Sequence, residues 1–160
     1  MEITLPDGSS KALENGSSGY DLAKSIGSGL AKSAIAINVN GEKRDLHDEL
    51  PDNCSVSIIT IDSEEGLEIM RHTLTAQVLA KAVKNLYPDS KLAIGPTIEN
   101  GFYYDVSNET PISIDDLPEI ENEMKRILKK KSHIVKSLHS KKDVKKLFKD
   151  LFKEGIKCEM

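Results

Sequence analysis

The residues best suited to chemistry lie in one run, Glu68-Ile69-Met70-Arg71-His72-Thr73-Leu74-Thr75-Ala76-Gln77. Two histidines four residues apart on a helix share a face, where they can bind a metal or handle a proton. Here His72 stands alone. The other histidines, His47, His133 and His139, have no zinc-ligand spacing with one another or with a cysteine. A lone helical histidine is more often an ordinary surface or core residue than a ligand. The glycines Gly8, Gly16, Gly19, Gly27 and Gly29 serve turns, and no Gly-Lys-Ser/Thr follows them, so there is no phosphate loop. No Gly-x-Ser-x-Gly elbow is present either. Phe102-Tyr103-Tyr104 can stack on a base or sugar. Alternation on a strand puts Phe102 and Tyr104 on one face and Tyr103 on the other, and core packing is expected of at least one face.

Charge is uneven along the chain. Residues 121–160 carry 13 Lys/Arg against 6 Asp/Glu, whereas residues 1–120 carry 9 against 20, for a net charge of −4. The basic third suits a phosphate partner or a solvated helix surface, and both readings stay open. No apolar run reaches the length of a transmembrane helix, so a membrane is not an expected partner. The start, Met1-Glu2-Ile3-Thr4-Leu5-Pro6-Asp7-Gly8, lacks the pattern of a secretory signal. Cys54 and Cys158 share no motif spacing. Free thiols in a reducing cytoplasm explain them better than a disulfide, and the expected location is cytoplasmic.

These residues must be held by short α and β elements, so the expected class is α+β. In 160 residues there is room for one ordinary domain or two small ones. Ile3 and Leu5 alternate with polar neighbours, Pro6-Asp7-Gly8-Ser9 is a turn, and Ser10 to Leu13 return as a hairpin partner. Ser18 or Gly19 caps a helix over Tyr20–Ile26, which Gly27-Ser28-Gly29 ends. Ala34 to Val39 reads as a buried strand, Asn40-Gly41 as a two-residue hairpin turn, and Val56 to Ile61 as a closing strand. A five-strand β-grasp, or ubiquitin-like, roll around one helix accounts for this order over residues 1–62. The polar junction Asp62-Ser63-Glu64-Glu65-Gly66 opens a second module over 63–160. Leu67, Met70, Leu74, Val78, Ala82 and Leu86 predict one long helix that Pro88 stops. An antiparallel hairpin follows, with its tight turn at Asn100-Gly101. Two further helices open on capping-box patterns, Ser113 with Asp116 and Ser140 with Asp143, and Gly155 ends the last.

Ile3-Thr4-Leu5-Pro6-Asp7-Gly8-Ser9, Gly29-Leu30-Ala31-Lys32-Ser33-Ala34 and Val39-Asn40-Gly41-Glu42 resemble the TGS domain, a β-grasp module. Glu64 to His72, Lys91-Leu92-Ala93-Ile94-Gly95-Pro96 and Ile98 to Asp105 resemble the editing domain of bacterial-type threonyl-tRNA synthetases. The resemblance covers essentially the whole chain in the family's order. It implies an accessory and editing region that serves threonyl-tRNA formation by hydrolysing serine misattached to threonine tRNA. The implied partners are the acceptor end of tRNA and the remainder of the synthetase. ATP and zinc belong to the family's catalytic core, and no cofactor or metal is expected in this chain.

The family's editing site uses His-x-x-x-His on the long helix, a later Cys-x-x-x-His, and a lysine between them. His72 matches the first histidine, and Lys157, in Gly155-Ile156-Lys157-Cys158, aligns with the lysine. A family-like run reads Arg-His-Thr-Thr-Ala-His-Val-Leu-Ala. Here Gln77 stands in the second histidine's place, one residue farther on. Four α-helical residues advance about 400° and five about 500°, so the insertion turns His72 about 100° off the shared face unless a bulge absorbs it. Glutamine hydrogen-bonds but takes no proton near neutral pH. The Cys-x-x-x-His half of the site has no counterpart before Met160. The resemblance therefore implies a site that is inactive in this chain alone. A free-standing degenerate module that binds tRNA or a partner without catalysis is the alternative.

Overall fold

A computed structural model describes residues 1–93, 95–132 and 134–151, the last four by their backbone alone. The chain divides into two compact units, Met1–Met70 and Arg71–Met160.

In the first unit, β1 (Glu2–Thr4) and β2 (Ser10–Ala12) form the expected hairpin, with Ile3 opposite Lys11. Between them Gly8 adopts a φ of 82° and donates to Leu5 O at 2.9 Å. Helix α1 (Gly19–Ile26) starts on a capping box in which Ser18 and Asp21 satisfy each other's backbone N–H. Gly27 ends α1, but the chain does not then pass straight to a strand. Residues Ser28–Ser33 form a second helix, α2. The expected roll around one helix is thus a roll around two. Gly27 N–H still bonds to Ala23 O while Gly27 O starts the next turn by accepting from Ala31.

Strand β3 (Ala34–Val39) turns into β4 (Glu42–Asp45) through Asn40 and Gly41, whose φ values of 50° and 90° are those of a type I′ turn. Strand β5 (Cys54–Thr60) completes a sheet of order β2-β1-β5-β3-β4, in which β1 and β5 are parallel. That is the β-grasp arrangement. Its core joins Ile3, Leu22, Ile37 and Val56, all essentially fully buried. Each such side chain stabilises the fold by about 1.5–3 kcal/mol. Cys54 lies in this core at 1% exposure, and burial pushes its thiol pKa up, so it packs as a small apolar residue.

The long helix predicted after the junction forms, but not as one regular α-helix. Helix α3 (Glu64–Thr73) passes into a π-helical turn (Leu74–Leu79) and then into α4 (Ala80–Leu86). Of its predicted apolar stripe, Val78 and Ala82 are buried, whereas Leu67 and Met70 are exposed.

The second unit continues with two short nested ladders. Strand β6 (Lys91–Leu92) pairs with β9 (Val106–Ser107), and β7 (Thr97–Ile98) with β8 (Gly101–Phe102). Because Ile98 lies opposite Gly101, the two turn residues are Glu99 and Asn100. The turn expected at Asn100-Gly101 is corrected by one residue, and Gly101 is a strand residue with a φ of 158°. The Ser113–Asp116 capping box forms, but it opens a 3-10 turn (Ile114–Asp116) ahead of α5 (Leu117–Lys129). Helix α6 (Lys141–Leu151) starts where Ser140 Oγ bonds to Asp143. Gly155, expected to end it, lies outside the described residues.

The buried centre of this unit is Ala82 and Val83 of α4 with Ile120 of α5, ringed by half-buried Leu86, Leu92 and Val106. Glu123 sits at its margin, where Asn85 donates to it at 2.6 Å and Arg126 grips it with two bonds. Among the described residues no helix is long and apolar enough to cross a membrane.

Candidate functional site

The π-helical turn falls on the stretch where the resemblance implies one residue too many. Ala80 N–H bonds to Thr75 O, five residues back instead of four. A π-helical turn holds one more residue than an α-helical turn. Such a turn accommodates the added residue that the resemblance implies between His72 and Ala80. The His72 and Gln77 side chains are both exposed.

Gln77 lines a groove of about 420 Å³ in the second unit. Thr73, Gln77 and Lys81 supply one wall, and Lys130 and Lys131 lie at the end of α5. Val78, Ile127 and Ile134 are among its apolar residues. His72 does not line the groove; its neighbour Thr73 does. The structure thus brings Gln77 together with a hydroxyl and three lysines rather than with the histidine that sequence spacing singled out. Such a lining accepts an anionic or polar ligand with one apolar flank, and it suits phosphate and ribose groups. Sequence reasoning marked the basic third but missed Lys81, which precedes it.

The first turn of this region is fixed by its own side chains. The Arg71 guanidinium donates to Glu99 O at 2.5 Å and Ile98 O at 3.4 Å. Thr75 is completely buried, and its hydroxyl donates to Arg71 O at 2.8 Å. Gly95 lies flat against both partners: a Cβ built there would fall 1.9 Å from Tyr104 Cδ2 and 2.8 Å from Thr75 Cγ2. Burial pushes the Tyr104 hydroxyl pKa up, so it stays protonated. Tyr103 beside it is 57% exposed.

A second hollow of about 310 Å³ lies between the Leu86–Ser90 loop and the segment from Asn108 to Ile112. Asp116 borders it and accepts from the Tyr87 hydroxyl; hydrogen bonds from Ser113 hold its pKa below the ordinary carboxylate value. With Asp89 and Glu109 also present it repels phosphate. The Asn108 amide is buried beside it without a hydrogen-bond partner among the described residues.

The remaining candidates do not converge on the groove. His47 packs near Tyr20 in the first unit, and His139 bonds to Ser137 Oγ at 2.9 Å. His133, Lys157 and Cys158 lie outside the described residues. Among the described residues no three of His, Cys, Asp and Glu cluster to hold a metal ion.

Known proteins are similar to both units. The TGS domain family matches residues 1–60. The chain is 51% identical over 129 residues, 81% of its length, to a threonine–tRNA ligase of Acetivibrio thermocellus, of which this covers 20%. It is 43% identical over 160 residues, its full length, to that of Bacillus velezensis, covering 25% of that protein. The ligase of Desulfatibacillum aliphaticivorans is 45% identical over 161 aligned positions, again 25% of its length. The chain thus spans about a quarter or less of the curated relatives it matches.

Proposed function

The chain carries a TGS domain and matches the N-terminal region of threonine–tRNA ligases, and on that premise we propose that it serves threonyl-tRNA synthesis as an accessory and editing region. The chemistry that calls for such a region is general. A pocket that accepts threonine rejects serine by one methyl group, a discrimination of only about 1–3 kcal/mol, so a second hydrolytic site must remove serine from threonine tRNA. His72 and Lys157 are the catalytic candidates within that region. Gln77, in the second histidine's place, can hydrogen-bond a ribose or an ester but cannot act as a base. The role proposed for this chain by itself is therefore to bind the acceptor end of tRNA without hydrolysing it.

The observation that carries this reading is the groove that Gln77 and Thr73 line together with three lysines. Phosphate contacts by lysine give RNA binding that weakens steeply with salt. Filter binding of threonine tRNA over a salt series is expected to show binding at low salt and a log–log slope that shrinks when Lys81, Lys130 and Lys131 are replaced by Gln. No binding at low salt would sink the proposal. Serine-charged threonine tRNA incubated with the chain is expected to stay intact. Hydrolysis that His72→Ala abolishes would replace the binding role with a catalytic one.

A further inference from the structure

We propose that Thr75 and Gly95 are positioning residues that fix where the helix takes up its extra residue, and thereby hold the Gln77 carboxamide in the groove as a hydrogen-bonding contact for the ribose or ester end of an RNA. The ligand in this statement rests on the RNA-binding role above; the geometry does not.

A π-helical turn is rare and gives way to the α form unless its surroundings hold it. Here the helix is gripped at the start of the turn and again after it. At its start, Arg71 is tied to the carbonyls of Ile98 and Glu99, and Thr75, the second residue of the turn, is tied to Arg71 O. Thr75 also lies against Gly95, which itself lies on the Tyr104 ring. One hairpin therefore clamps both Arg71 and Thr75. After the turn, Ala82 and Val83 are buried with Ile120, and Asn85 donates to Glu123 at 2.6 Å.

Reversion to α geometry would rotate one grip relative to the other by the advance of one residue, about 100°. Either the Thr75 contacts or the Ala82–Val83 packing would have to break. The extra residue is trapped between the two grips, and Gln77 lies inside the trapped turn. Val78 beside it is buried at 8% exposure, while Gln77 is exposed and lines the groove. Gly95 is required because any larger residue would meet Tyr104 and push Thr75 away.

The test uses the full chain. Thr75→Val keeps the shape and removes the hydroxyl; Thr75→Ser keeps the hydroxyl. The Gln77 side-chain amide resonance and the hydrogen-exchange protection of the Ala80 amide report the turn. Thr75→Val and Gly95→Ala are expected to shift both, and Thr75→Ser to leave both in place. Deleting Ala76, which is exposed and lies between the two grips, gives them an ordinary α path and is expected to move the Gln77 resonance while the unit stays folded. Binding of threonine tRNA is expected to weaken roughly two- to tenfold in Gln77→Ala and in Thr75→Val, the worth of about one hydrogen bond. The double variant is expected to be no weaker than either single, because one residue acts through the other. A Gln77 resonance that is unmoved in both Thr75→Val and the Ala76 deletion overturns the positioning role. Wild-type-like binding by Gln77→Ala overturns the contact. Failure of the wild-type chain to bind tRNA removes the RNA role, and the resonance shifts then decide the positioning role by themselves.

Discussion

The two units build their cores by different means. The first has one continuous five-stranded sheet, and its strands β3 and β5 run six and seven residues. Against that sheet pack ten buried apolar residues from strands, helix and loops. In the second unit the ladders are two residues long each, and the buried cluster among the described residues is Ala82, Val83 and Ile120. Around that cluster Ile114, Ile134, Val135 and Leu138 stay between 68% and 90% exposed. A closed sheet core stabilises every one of its members, whereas a three-residue core leans on polar anchors at its margin. The anchors are the Arg71 and Thr75 bonds on one side and the Glu123 bonds on the other. The part with the thinner core is also the part that holds the groove and the π-helical turn.

The largest expected effect comes from paired deletions in the two cores. Ile37 is fully buried at the centre of the sheet, and Ile120 is 5% exposed between α4 and α5. Ile-to-Ala changes cost about 2–5 kcal/mol, more where the site cannot collapse. Ile37→Ala is expected near the top of that range and Ile120→Ala near the bottom, because few neighbours hold the second cavity open. Hydrogen exchange followed residue by residue separates the two units and reads each loss. Equal losses would break the contrast between a closed and an open core.

How much of this was legible in the sequence follows the same division. In the first unit the turn chemistry of Pro6-Asp7-Gly8-Ser9 and Asn40-Gly41 and the apolar run of β3 gave the two hairpin pairings directly. Helix α2 was not legible, because six residues with two serines and a glycine show no helical period. In the second unit the elements were legible but their registers were not. Asn100-Gly101 carries the sequence signal of a tight turn, yet the pairing of Ile98 with Gly101 moves the turn back by one. The π-helical turn could be read only as a one-residue excess against a resembling family, since local propensity does not specify i→i+5 bonding. The groove was illegible for a different reason. Lys81 lies in α4 and Lys130 just after α5, and only the packing of α4 on α5 puts them on one surface.

A middle-sized effect sharpens the role of the polar anchors. Glu123 has an ordinary carboxylate value of 4.5, which falls to about 2 through its bonds from Arg126 first and Asn85 second. Because the folded value lies below the unfolded one, the stabilisation is fully present above pH 4.5 and is lost as pH falls toward about 2. The second unit is therefore expected to lose exchange protection in that window while the sheet of the first unit keeps it. Glu123→Gln is expected to flatten the dependence. A wild-type profile with the same slope in both units would show that the anchor is not specific to the thinner core.

The smallest effect expected lies in the first unit, where polar contacts add little to a closed core. Lys43 on β4 reaches Glu68 at 3.1 Å and Glu65 at 3.8 Å, and all three side chains are between 45% and 60% exposed. Exposed pairs of this kind contribute about 0–1 kcal/mol, because water screens them and two long side chains lose freedom in meeting. Lys43→Ala is expected to change unfolding by less than about 1 kcal/mol, and salt near 1 M is expected to erase the difference, since the screening length there is about 3 Å. The comparison makes the measurement informative beyond the pair itself. If this charged contact contributed as much as Glu123 does, both units would depend on their polar margins, and core size would no longer separate them. A small, salt-sensitive loss leaves that dependence to the unit that carries the groove.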